Sequence, residues 1–307
     1  IVFGDWSSDV CSSDLSRSRE ITPIINEIKF LIQHGARRIG LGGPDLLDFH
    51  REDPPVGQGK PLIDPRDPPP NLTALKNLVD QLVAIPAVKK HEIQLFFENV
   101  KANLCTDAVL DILAKIPNPI FSIGCETGSA EFANILGRPC LPQETLDAVA
   151  RAQKRGIRAH VYFIHSLPGD NAQYAGETLE LMQKFAKMNV DKLTIYRFQE
   201  LPGSPFYNMP PDATEFTKTD LKMFEKVKKF AIHYNESAKM QLVGQRVTVV
   251  ISEINKRNPA DAIGWILEGG PKVSVRKGAK LLNQVRKVKV VRVISDKLVE
   301  ADLLESL

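Results

Sequence analysis

Five short apolar segments, at residues 37–43, 92–97, 120–125, 158–164 and 192–198, alternate with segments whose apolar residues recur at helical spacing. Strands separated by helices of ten to fifteen residues imply crossover units and a parallel sheet, so this alternation predicts an α/β domain, either an open doubly wound sheet or a partial barrel. Helices are expected at 22–34, 72–85, 106–115, 130–136, 143–155 and 172–188. The first is the clearest: Thr22 can cap it, Pro23 suits its first turn, Ile24, Ile25, Ile28, Leu31 and Ile32 form one stripe, and Gly35 ends it. Residues 50–71, rich in Pro, Asp and Gly, interrupt the rhythm as a long ordered loop or lid.

A different pattern follows. After a Pro-rich break near residue 205, a helix at 218–239 leads to short strands in "VTVVISEI", "AIGWILEG", "KVSVRK" and "VRKVKVVRVI", separated by Gly, Pro and Asn turns. That pattern predicts a small all-β barrel of about 65 residues. Charge divides the same way. The net charge is +3, yet residues 241–307 hold twelve Lys/Arg against seven Asp/Glu, leaving the rest slightly acidic. The expected organisation is an α/β domain over 16–210, a helical linker over 211–240 and the barrel over 241–307.

Residues 1–15 fit none of this. "WSSDVCSSDL" lacks periodicity and a signal peptide's apolar run, and resembles one reading frame of a common sequencing-library adapter. The expectation is a foreign segment, with the natural frame beginning near Ser16. Across the whole chain, 43% hydrophobic and 25% charged residues are ordinary for a globular protein, and no apolar run approaches a membrane span. Cys105, Cys125 and Cys140 are widely spaced and odd in number, which suggests reduced, buried thiols and a cytoplasmic location.

In a parallel α/β domain ligands bind at the carboxyl ends of the strands. The first strand ends in Gly42, Gly43, Pro44 and Asp45, where missing side chains let a ligand approach the backbone. The third ends in "SIGCETGS", placing Glu126 among small residues, either to accept from both hydroxyls of a ribose or to cap the next helix through its charge. The fourth ends in "HSLPGDN", with Pro168 and Gly169 in a turn. The last ends in "TIYRFQELPGSP", whose Tyr196 and Phe198 suit stacking on a base.

This ordered set resembles the radical SAM superfamily over roughly residues 16–205. The resemblance implies a partial (β/α)6 TIM-like barrel lacking its first strand here, with S-adenosylmethionine and a [4Fe–4S] cluster as cofactors and an electron-donor protein as partner. It implies that Gly42 and Gly43 lie at the methionyl amine, Glu126 at the ribose, and Pro168, Gly169, Tyr196 and Phe198 around the adenine, with Asp45 and Ser129 also in contact with the cofactor. "ILGRP" is similar to the family's helix motif, so Arg138 would pair with the methionyl carboxylate, a fit for a guanidinium fork. The cluster motif CxxxCxxC is not found in this sequence, and Cys105, Cys125 and Cys140 lack its spacing.

The basic β segment resembles a TRAM domain, an OB-like RNA-binding barrel, in which Arg276, Lys287, Lys289 and Arg292 would meet phosphates; Trp265 suits either a base or the core. Together the two resemblances imply an enzyme that modifies tRNA or rRNA by methylthiolation or methylation. Glu-Thr-Gly-Ser, where methylthiotransferases usually read Gln-Ser-Gly-Ser, is closer to the cobalamin-binding group, so a cobalamin-dependent methyltransferase of a small molecule or lipid is the alternative, and a non-catalytic RNA-binding module another.

Overall fold

A computed structural model of the chain describes residues 18–42, 45–54, 56–57, 66–200, 202, 206–208 and 215–304. The adapter-like segment, Cys11 and Gly43 lie outside the described residues. Helix α1 (Ile21–Gln33) precedes β1 (Arg38–Leu41); α2 (Leu72–Val83) and α3 (Pro86–Lys89) precede β2 (Gln94–Val100). Next come α4 (Asp107–Leu113), β3 (Ile120–Glu126), α5 (Ala130–Ile135), α6 (Pro142–Gln153), β4 (Arg158–His165), α7 (Ala172–Lys187), β5 (Lys192–Arg197) and α8 (Lys218–Met240). The five strands form one sheet in the order β1-β2-β3-β4-β5, every neighbouring pair parallel.

Local chemistry accounts for most boundaries. Asn71, Thr106 and Ser129 accept from backbone N–H groups at the starts of α2, α4 and α5. At α1 the expectation is corrected: the cap position is Glu20, and Thr22 lies inside the first turn. The first four N–H groups of a helix have no intrahelical acceptor, so Pro23 sits in that turn without loss and does not mark the start. Gly35, at φ +92°, turns the chain out of α1 as expected. The sheet's outer face is sealed by the helices, with Phe97, Phe121, Phe163 and Phe185 fully buried.

The second sheet is a closed barrel of β6 (Arg246–Ile254), β7 (Ala262–Ile266), β8 (Lys272–Val275), β9 (Val285–Ser295) and β10 (Leu298–Leu303), in the order β10-β8-β7-β6-β9. The sequence reading had no β10; its antiparallel pairing with β9 and parallel pairing with β8 close the barrel. Val249, Ile251, Val273, Val275, Val288, Val290 and Val299 fill the interior.

Two features lock the barrel to the sheet. Arg38, Gln94, Ile120 and Arg158 are the first residues of β1 to β4, and the β7–β8 turn rests on them. Arg158 donates to the carbonyls of Glu268 and Gly269, and the Arg38 guanidinium lies 3.9 Å from the Phe96 ring centroid and 4.4 Å from that of Trp265. Trp265 is thereby part of this junction. The segment read as a linker, α8, packs on the sheet. Phe224, Val227 and Ala231 join its core, while the Asn235 amide exchanges hydrogen bonds of 3.0 and 2.7 Å with the Leu193 backbone on edge strand β5.

Candidate functional site

Period-two geometry brings one set of side chains to the concave face of the sheet. Phe96 and Glu98 of β2, Ser122, Gly124 and Glu126 of β3, His160 and Tyr162 of β4 and Tyr196 of β5 line a cavity of about 460 Å³, and Gly270 of the small barrel reaches its floor. Tyr162 and Tyr196 run nearly parallel, with ring centroids 6.0 Å apart.

At the end of β3 the backbone tightens. Glu126 has φ +63° and the Thr127 N–H donates to the Cys125 carbonyl at 2.8 Å, a γ-turn that follows a register shift against β4. A non-glycine residue in this conformation costs about 1–3 kcal/mol, and such strain gathers at ligand sites. The turn presents the Glu126 carboxylate in the cavity wall. It is buried, which raises its pKa, opposed by the Arg138 guanidinium at 3.4 Å. The next residues are consumed by packing. The Gly128 N–H donates to Thr178 Oγ1 at 2.8 Å, and Ser129 Oγ accepts from Phe132 N as the cap of α5.

The other expected residues fall into four groups. Gly42 stands beside the cavity-lining Glu98, where a Cβ would come 3.2 Å from Oε2, while Tyr196 lines the cavity with 55% of its surface exposed. Asp45 is turned inward instead: its carboxylate accepts from Leu47 N at 2.7 Å, and burial beside Asp48 pushes its pKa up to about 8. Pro168 and Gly169 (φ +82°) shape the turn after β4, closed by Asp170, which accepts from Ser166 N; Phe198 packs edge-on against Phe206 at 5.8 Å. On the small barrel, Lys287 and Lys289 are exposed, whereas Arg276 lies 2.5 Å from Asp302 and Arg292 forks onto Glu300 at 2.8 and 3.1 Å. Sequence reasoning missed Glu98, His160 and Tyr162. The signal for His160 and Tyr162 was the inward parity of their expected strand, whereas Glu98 fell one residue beyond the expected end of its strand, which runs on to Val100.

Residues 12–182 match the radical SAM superfamily. The chain belongs to the radical SAM superfamily. It is 35% identical over 292 residues to an uncharacterized protein of Methanocaldococcus jannaschii, covering 95% of this chain and 54% of that one. It is 22% identical over 255 residues to the tRNA-2-methylthio-N(6)-dimethylallyladenosine synthase of Staphylococcus haemolyticus, covering 81% and 44%. The chain thus spans about half the length of these relatives. Among solved structures, Streptococcus suis SuiB bound to precursor peptide SuiA aligns over 73% of this chain and 42% of that one, at 11% identity and a TM-score of 0.49.

Membership implies S-adenosylmethionine and a [4Fe–4S] cluster, and the described residues fit the first alone. The strained Glu126 carboxylate, with acceptor capacity beyond its long contact to Arg138, suits ribose hydroxyls, and Gly42 leaves space beside Glu98 for a close-lying ligand. Cluster ligation needs thiolates, but burial raises the pKa of Cys105, Cys125 and Cys140, and no group of three His, Cys, Asp or Glu able to hold a metal occurs among the described residues. Likewise, no described helix is long and apolar enough to cross a membrane.

Proposed function

We propose that this chain binds S-adenosylmethionine at the mouth of the sheet and positions an RNA base beneath it for modification, with methylthiolation the reaction that the names of its relatives favour. The single observation carrying the cofactor assignment is the buried, strained Glu126 in the wall of the 460 Å³ cavity. Bound S-adenosylmethionine would supply the means to abstract hydrogen from an unreactive C–H bond once a reduced [4Fe–4S] cluster, which the described residues do not hold, delivers one electron to it. The chain's residues orient and enclose. Glu126 accepts from the ribose, with the Arg138 guanidinium at 3.4 Å opposing the rise in pKa that burial causes; Tyr196 offers a ring face to the adenine. Below them Phe96 and Tyr162 wall the chamber and the β7–β8 turn closes the floor, limiting water at the reacting centre.

RNA is favoured as substrate by the names of the tRNA-methylthiolating relatives and by the basic small barrel, which we read as a TRAM domain. There, exposed Lys289 lies across the strand pair from exposed Arg246. Calorimetric titration of S-adenosylmethionine into the full chain tests the site. Losing a charge-assisted hydrogen bond costs about 1.5–3 kcal/mol, so Glu126→Gln should weaken binding about 10- to 150-fold with unchanged circular dichroism. Equal affinities would overturn the assignment.

A further inference from the structure

We propose that the exposed lysine ridge of α8 is a second RNA contact surface, guiding the RNA backbone from the small barrel to the mouth of the cavity. The inference rests on the reading that the substrate is RNA, and deepens it by naming the surface that delivers the reacting base.

Lys218, Lys222, Lys226 and Lys229 recur every three or four residues and share one exposed face of α8, opposite buried Phe224, Val227 and Ala231. That face borders a shallow groove in which Leu221 is 50% exposed. One acid shares the ridge, Glu225, which lines the same groove, so four lysines face one carboxylate there. Asp220 is buried, accepting from Ala172 N at 2.7 Å and from Thr217, and Glu225 pairs with Lys228 at 3.3 Å. Eleven residues separate Lys218 from Lys229, about 16 Å at 1.5 Å per residue, room for several phosphates of one strand.

Position decides between a solvated face and a track. At its start α8 flanks the mouth: the Phe224 ring lies 5.6 Å from that of His165, the last residue of β4, and Asp220 ties the helix to the beginning of α7. At its other end α8 packs against β9 and leads into β6, where Arg246 and Lys289 are exposed cross-strand neighbours. The helix therefore spans the path between the basic barrel and the cavity. An exposed row of lysines recognises phosphates through charge alone, so the contact is independent of sequence and steeply dependent on salt.

The test uses the full chain and a fluorescent tRNA-sized stem–loop RNA, titrated at several salt concentrations. Each single-strand phosphate contact contributes about −0.7 to the log–log salt slope. Lys222→Glu, Lys226→Glu and Lys229→Glu combined should therefore shallow the slope by about 2 and weaken binding at least tenfold near 0.1 M salt. The corresponding Gln triple should move both in the same direction. The control reverses Lys29 and Lys89, exposed on other helices, and Lys154, exposed just past the end of α6, and should leave the slope near that of the parent. A ridge variant indistinguishable from that control overturns the inference while binding lost on reversing Lys287 and Lys289 leaves the RNA reading standing. No RNA binding by the parent chain at low salt overturns both.

Discussion

Gly128 follows Glu126 by two residues, and the structure gives it a purely steric role that can be measured. A Cβ built there would lie 2.4 Å from Thr178 Cα, 2.5 Å from the Glu177 carbonyl oxygen and 2.7 Å from Thr178 N. All three atoms are backbone of α7, so no side chain can rotate away, and the helix must retreat by about 1 Å to restore ordinary contact. Overpacking of this kind costs about 1–3 kcal/mol, and the retreat stretches the 2.8 Å bond from Gly128 N to Thr178 Oγ1, worth about another 0.5–1.5 kcal/mol. Gly128→Ala should therefore destabilise the chain by about 2–4 kcal/mol, read as a lower urea midpoint at unchanged slope. Gly137 is the matched control. It has φ +67° and open space around its Cβ, so Gly137→Ala should cost only about 1–2 kcal/mol of left-handed backbone strain. If Gly128→Ala proves no more costly than Gly137→Ala, the close approach of the strand end to α7 is refuted.

Two further outcomes concern buried charge. His160 is half-buried by exposed area yet enclosed by the cavity walls, and desolvation with the nearby charges of Lys192 and Arg158 lowers its pKa to about 3, below its unfolded value of 6.5. The unfolded chain then takes up a proton that the fold refuses, so stability is lost as pH falls below 6.5. Relative to His160→Gln, the parent should lose up to about 2 kcal/mol between pH 7.5 and 5, and a pH-independent difference would contradict this. Arg51, fully buried, donates to Asp48 and to the Pro68 carbonyl, clasping the two ends of the 50–71 segment. Arg51→Met, which leaves Asp48 with Lys101 alone, should cost about 3–5 kcal/mol in urea unfolding, and a loss below about 1 kcal/mol would show that the clasp is dispensable.

The alternation of apolar strands with amphipathic helices was legible because each crossover helix must bury its apolar stripe against the outer face of the sheet, and all five strands of the main sheet stand where the pattern put them. Strand β10 was not legible. Its Glu300 and Asp302 disfavour strand on propensity, and only the barrel's need to close, with Arg292 and Arg276 facing those acids, recruits it. At the site, the motifs located the mouth but not which atoms remain available. Asp45 and Ser129 carry ligand-binding chemistry in the sequence, yet in the fold their oxygens are engaged by Leu47 N and Phe132 N. Glu126 kept its alternatives open in the sequence because its γ-turn depends on the register of β3 against β4, a non-local fact. Reading strand ends also passed over His160 and Glu98, which lie along the strands.

The most direct test of the central claim is hydrogen exchange of the full chain with and without S-adenosylmethionine. The account predicts slower exchange in peptides covering residues 124–129 and 194–198, around Glu126 and Tyr196, with peptides from the small barrel unchanged. Protection absent from 124–129, or confined to residues 246–303, would contradict a cofactor site at the carboxyl ends of the parallel strands.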